Sequence, residues 1–265
     1  MFRKYVYHDI TWYDFKNPRT DEFLDVARGY EFDKSVIKKF ITPQENSEAY
    51  IQGNVIFLSL FFPCDLDNNS TTIEKKQVRF IIGTNFIFTA RSNDIRGFYD
   101  LKKKIRRNKT NPIDTFPNPT APLTELLQEV YRHIGDDLEG LSKSLAYTEK
   151  HILSHKDISK HVVYEMNKKT EDVHSILATQ ETVWEAFDSL CKEFFNDIHT
   201  NDTLGMVMSQ YKKTYKKSEK NTSKKIDQKL LFRRSLTRKK RIRKIQISAF
   251  LIVFVTLLVV GSKAF

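Results

Sequence analysis

Cysteine is scarce in these 265 residues: Cys64 and Cys191 are the only two. Two cannot build a disulfide framework or a cysteine-rich zinc centre, and they read as small buried thiols in a chain that folds in a reducing compartment. Glycine and proline are also few, eight and seven, which excludes collagen-like and low-complexity architectures. The glycines are scattered, so no Gly-rich turn that cradles a nucleotide joins a strand to a helix. There is no internal repeat of about 20 to 50 residues to suggest a solenoid. Met1 to Asp9 is charged and has no apolar core, so a signal peptide is not expected.

What is present argues for a folded body with a charged extension. With 40% hydrophobic residues the chain buries a core, and intrinsic disorder is excluded. The net charge of +11 is concentrated: Lys212 to Lys244 holds 16 Lys and Arg against Glu219 and Asp227, a local +14, leaving the other 232 residues at −3. That segment abuts an uncharged run, Ile245 to Gly261. As a helix the run is about 25 Å long, the lower limit for a spanning segment, with Lys244 and Lys263 able to snorkel at its ends. Arg233, Arg234, Arg238, Lys239, Lys240, Arg241, Arg243 and Lys244 precede it and only Lys263 follows. The positive-inside rule then predicts a single-pass membrane protein with its N-terminal part in the cytoplasm.

Residues 1–110 read as mixed α and β. Tyr5 to Tyr7, Ile10 to Tyr13, Val55 to Phe62, Val78 to Ile82 and Phe86 to Ala90 are predicted strands, with turns at Gln52-Gly53-Asn54 and Gly83-Thr84-Asn85. Asn17 before Pro18 predicts an N-cap for a helix with Phe23, Leu24 and Ala27 inward, stopping at Gly29. Asp33 caps a second helix to Phe40, and Asp94 a third through Arg107. Asn108 to Pro122 breaks the pattern and is the expected boundary. Residues 111–244 then turn helical. Leu123, Leu127, Val130, Ile134, Leu138, Leu141 and Leu145 form one apolar stripe. A second stretch runs from Val162 to Ile198, and a third helix, capped by Asn201 or Asp202, leads through the basic segment to the span at 245–265.

Few residues promise chemistry. His151 and His155, with Glu149 near, have the spacing of ligands on one helical face, but the metalloprotease glutamate is missing and they read as an exposed pair. Asp136, Asp137 and Glu139 read as a solvated face. No nucleophile–base constellation appears, and an enzyme is not expected. The basic segment lacks interleaved aromatics, so no nucleic acid partner is expected; its place beside the span points to anionic membrane lipid.

Order and wording together resemble the CorA family of magnesium channels. Ile10-Thr11-Trp12-Tyr13-Asp14-Phe15, Asn17-Pro18, Val36 to Phe40, Ala49-Tyr50, Val55 to Leu58 and Gln77 to Thr89 are similar to the opening of that family's cytoplasmic domain. The resemblance implies an α+β cytoplasmic domain, a long helical hairpin and stalk, and one C-terminal transmembrane helix. It implies a homopentamer, with magnesium or another divalent cation as the transported or regulatory ion and no tightly bound cofactor. Trp12, Asp14 and Pro18 are then structural, and Ser248, Thr256 and Gly261 the pore-facing positions.

The chain departs from that pattern in two places. The family's second span and its Tyr-Gly-Met-Asn loop have no counterpart before Phe265, and the family's acidic sensor pair falls on Lys38-Lys39. A divergent or truncated member is therefore expected, regulatory rather than conducting alone and partnered by itself or by a two-span relative. The alternative is a tail-anchored helical tether at the inner face of a membrane. That reading requires apolar heptads through 211–244, which are largely charged.

Overall fold

A computed structural model describes residues 2–7, 10–64, 73–107, 120–153, 160–195 and 198–223, with the helical positions 236–237, 240–241, 243 and 245–246. Six strands, β1 (Phe2–Tyr7), β2 (Ile10–Lys16), β3 (Glu48–Gln52), β4 (Val55–Cys64), β5 (Glu74–Ile82) and β6 (Phe86–Arg91), form one sheet in the order β1-β2-β6-β5-β4-β3. All neighbours are antiparallel except β2 and β6, which run parallel with Thr11 opposite Phe86. Three helices belong to this part, α1 (Thr20–Ala27), α2 (Lys34–Ile41) and α3 (Arg96–Arg107). Four follow: α4 (Thr120–Leu153), α5 (Lys160–Ala178), α6 (Glu181–Phe195) and α7 (Ile198–Ser223).

The continuous apolar run of β4 arises because both faces of the sheet are covered. Val55 and Phe57 point to α1 and α2, joining Phe15, Phe23, Phe40 and Phe88 in an aromatic core. Ile56, Leu58, Leu60 and Phe62 point the other way. There they form one core with Trp12, Phe98, Leu127, Trp184, Phe187 and Tyr211, so a single apolar core joins the sheet and α3 to helices α4, α6 and α7. That larger core contains a polar node. Gln180, in the two-residue break between α5 and α6, donates its amide to the Phe61 carbonyl and accepts from the Tyr131 hydroxyl at 2.5 Å. Trp184 Nε1 donates to the same hydroxyl at 2.8 Å, and Tyr211 donates to the Leu177 carbonyl at 3.0 Å.

Several expected boundaries move, each for a local reason. Asn17 does not cap α1: its φ of 49° turns the chain out of β2 while its N–H donates to the Arg91 carbonyl at 2.8 Å, and the helix starts at Thr20. Phe23 and Ala27 are buried but Leu24 is 41% exposed. Asp33 does stand at the N-cap of α2, with no side-chain capping bond. Asp94 is drawn off by Lys16 and Arg91 and leaves α3 to begin at Arg96. The single second stretch is two helices, α5 and α6, because Gln180 leaves the helical path to reach the sheet. Helix α7 begins at Ile198, upstream of both expected caps. Strand β3 went unseen because Glu-Ala-Tyr-Ile-Gln is a half-buried edge; Gly53, at φ 59°, makes its hairpin turn.

Charge is buried at one end of the sheet. Asp14 on β2, 2% exposed, accepts from Arg91 Nε at 3.1 Å and Nη2 at 3.0 Å, from Thr89 Oγ1 at 2.9 Å and from Lys102 on α3. Burial alone raises the pKa of Asp14, but the Arg91 bonds and charge, with Lys102, outweigh it and hold the carboxyl below its ordinary 3.8. On the opposite face Arg79 is 4% exposed, and its Nε and Nη1 have no hydrogen-bond partner. Burial pulls its pKa down to about 10. Helix α3 closes on α4 at Gly97, where an added Cβ would lie 2.6 Å from Val130 Cγ2 and 2.8 Å from its backbone nitrogen.

Gly97→Ala is expected to lower stability by about 1–3 kcal/mol, measured by denaturant unfolding, because backbone atoms cannot yield to the extra methyl. Arg79→Met should raise it by about 1–3 kcal/mol by removing an unpaired buried charge. Asp14→Asn strands two buried cations and should cost about 3–5 kcal/mol at neutral pH. Because the folded-state pKa of Asp14 is depressed, its contribution is whole above 3.8 and drains as pH falls through the lower folded value. A pH series of unfolding midpoints should therefore fall less steeply on the acid side in Asp14→Asn than in the wild type.

Candidate functional site

Helix α7 is the element that leads toward the basic segment, and its buried face repeats every three and four residues: Leu204, Val207, Tyr211, Thr214, Ser218 and Asn221. The spacing is that of a heptad seam, apolar in its first half and polar in its second. The polar half stays buried because it bonds to backbone carbonyls. Thr214 Oγ1 donates to Gln210 O at 2.9 Å and Tyr131 O at 3.2 Å, and Asn221 Nδ2 to Leu138 O at 2.8 Å. Lys217 Nζ reaches Gly135 O at 3.1 Å. Helix α4 is thus a partner of this seam as far as Asn221, with α5 adding the Leu177 carbonyl and His174, whose Nδ1 lies 3.2 Å from Ser218 Oγ. Periodicity of apolar residues alone missed it, since Thr, Ser and Asn do not score as core.

One group of side chains among the described residues has the composition of a cation site: Asp100 on α3 with Glu129 and His133 on α4, whose ligand atoms lie within 4.8 Å of one another. Sequence spacing could not reveal it, because two helices supply it. A cation of the chain's own already sits there. Arg132 donates to Glu129 Oε2 at 2.7 and 2.9 Å and stands 3.9 Å from Asp100 Oδ2, while His133 Nε2 lies 2.6 Å from that same oxygen. Neighbouring Glu129, Asp136 and Asp100 raise the Arg132 pKa, so the guanidinium stays charged. A divalent ion would have to displace it.

The residues singled out in the sequence are not brought together. Asp136 pairs with Arg132 at 3.2 Å, and Glu139 with Lys143 at 3.0 Å and Lys217 at 3.6 Å, so that face is salt-bridged as well as solvated. The His151 ring lies 3.7 Å from that of Tyr147, tilted by 34°, and its Nδ1 lies 2.8 Å from the Tyr147 carbonyl; His155 lies outside the described residues. Lys39 pairs with Glu48 at 2.7 Å and lies over the Tyr50 ring. Cys191 is buried, which pushes its thiol pKa up, whereas Cys64 is partly exposed. Of the basic set, Lys240, Arg241 and Arg243 are helical and exposed. Arg233, Arg234, Arg238, Lys239 and Lys244, together with Ser248, Thr256 and Gly261, lie outside the described residues. Among the described residues no helix is long and apolar enough to cross a membrane.

Comparison with known proteins bears on the arrangement as a whole. The soluble domain of CorA from Methanocaldococcus jannaschii superposes with a TM-score of 0.68 at 16% identity, over 86% of this chain and 88% of that one. The ZntB cytoplasmic domain from Vibrio parahaemolyticus RIMD 2210633 gives 0.64 at 9% identity, covering 88% of each chain. Full-length CmaX gives 0.59 at 11%, over 92% of this chain and 74% of that one. At such identities the likeness is one of fold. No curated protein matches by sequence. The family model described as CorA-like Mg2+ transporter protein, however, matches residues 7–239, which include strands β2 to β6 and helices α1 to α7, and the chain belongs to that family.

Proposed function

We propose that this chain is a divergent CorA-like membrane protein of divalent-cation transport that works as a regulatory partner and does not conduct alone. Its three parts are a cytoplasmic α+β domain at 1–110, a helical stalk at 111–244 and a single span at 245–265. The observation that carries the reading is the family match over 7–239, in a chain whose match ends within the basic segment that precedes the uncharged run Ile245 to Gly261. The exposed Lys240, Arg241 and Arg243 suit contact with anionic lipid at the inner surface, worth about 1 kcal/mol per basic residue. Ser248, Thr256 and Gly261 are the pore-facing positions if five copies assemble. Five copies of Lys263 close to the outer mouth would repel a divalent cation, which speaks against conduction by this chain alone. The seam of α7 is filled by α4 and α5 within the same chain, which leaves a tether less of a face with which to zip onto a partner helix.

Purified protein reconstituted in liposomes loaded with a magnesium-sensitive dye is expected to be pentameric and silent alone, and to change the uptake of a co-reconstituted two-span relative. Uptake by the chain alone would refute the regulatory role while leaving transport in place. A monomer at every concentration, with no effect on the relative, would refute the assembly.

A further inference from the structure

A cavity of about 780 Å³ opens between the end of the β1-β2-β6 ladder and the first turns of α3. Its lining carries five basic side chains, Arg3, Lys16, Arg91, Arg96 and Lys102, against Asp14 and Asp94. At the floor Asp14 holds both Arg91 and Lys102 from below. At the mouth Arg3 and Arg96 are exposed and have no acidic partner among the described residues. The remaining carboxylate at the mouth, Asp94, is 77% exposed yet held by Lys16 Nζ at 2.6 Å and Arg91 Nη1 at 2.9 Å. Two cations converge on one surface carboxylate that stands two residues before the start of α3. Beside them the amide end of a 12-residue helix opens on the cavity, and the Tyr99 ring stands 66% exposed at its rim.

We propose that this cavity binds the phosphate chain of a small soluble polyphosphate anion, with Asp94 occupying, in the empty state, the seat of a phosphate oxygen. The cavity matches that ligand in three respects. Its volume lies in the range of small-molecule sites, about 300–1,000 Å³. Its surplus of three positive charges suits a di- or triphosphate. Its donors are of two kinds, guanidinium forks for paired oxygens and a helix amino end for a terminal one. Tyr99 offers a flat face to a base if the anion is a nucleotide. Binding would release Asp94 from Lys16 and Arg91 without disturbing the Asp14 bonds beneath.

The test is calorimetric titration of the full chain in detergent, in magnesium-free buffer at about 0.15 M salt, with tripolyphosphate, ATP and monophosphate as separate probes. Saturable binding of tripolyphosphate is expected, with monophosphate much weaker. Arg3→Glu and Arg96→Glu should each weaken it about tenfold, the loss of one charge-assisted contact. Asp94→Asn should strengthen it several-fold, because the competing carboxylate is gone. All three positions are exposed, so folding checked by circular dichroism should be unchanged. Tighter binding of ATP than of tripolyphosphate would assign the ligand as a nucleotide, and equal binding would confine recognition to the phosphates; either supports the site. Absence of saturable binding by folded wild type, indifference to both Glu variants, or weaker binding in Asp94→Asn would each overturn it.

Discussion

The molecule hangs together through one buried amide. Gln180 spans from the Phe61 carbonyl of β4 to the hydroxyl of Tyr131, which in turn serves Trp184, so sheet, α4 and α6 meet at one point. Every polar atom in that set finds a partner in a low-dielectric setting, where an unmet one would cost about 1–3 kcal/mol. Such a node fixes geometry more strictly than apolar packing does, because Leu or Phe in the same place would tolerate sliding. It also explains the interruption between α5 and α6: the chain leaves the helix so that one side chain reaches the sheet.

At the other end of the sheet a second polar construction has a different character. Asp14, Arg91 and Lys102 tie two parallel strands to α3 by charge, and Gly97 lets α3 lie against the backbone of α4. The two constructions are complementary, one neutral and fully enclosed, the other ionic and open at its edge. The edge is where charge remains in excess, whereas on the opposite face burial leaves Arg79 Nε and Nη1 without partners and lowers the pKa of the guanidinium.

How far the sequence revealed this follows from the range of each interaction. Strands β4, β5 and β6 and the stripe from Leu123 to Leu145 were legible because burial on a regular period leaves its mark within a few residues. The cap roles of Asn17 and Asp94 were misread because tertiary geometry overrides the local pattern: Asn17 turns the chain at a φ of 49°, three residues before α1 starts, and Lys16 and Arg91 take the Asp94 carboxylate. The lower half of the α7 seam was hidden by its chemistry, since Thr214, Ser218 and Asn221 are buried by hydrogen bonding and not by hydrophobicity. The group of Asp100, Glu129 and His133 was invisible because its members come from two helices. The residues expected at the pore and most of the basic collar fall outside the described part, where only the pattern of charge and hydropathy speaks.

The parallel joint between β2 and β6 has a consequence for biosynthesis. Asp14 and Arg91 lie 77 residues apart in the chain. At about 5–20 residues per second, the first hairpin leaves the ribosome roughly 4–15 s before the strand that covers its inner edge. Through that interval β2 offers open backbone donors and acceptors with Trp12, Tyr13 and Phe15 still uncovered, an edge suited to pairing with the wrong chain. The charge of Asp14 in the middle of that strand is then a protection before it is a tether, because an unpaired carboxylate resists burial in any sheet that lacks Arg91.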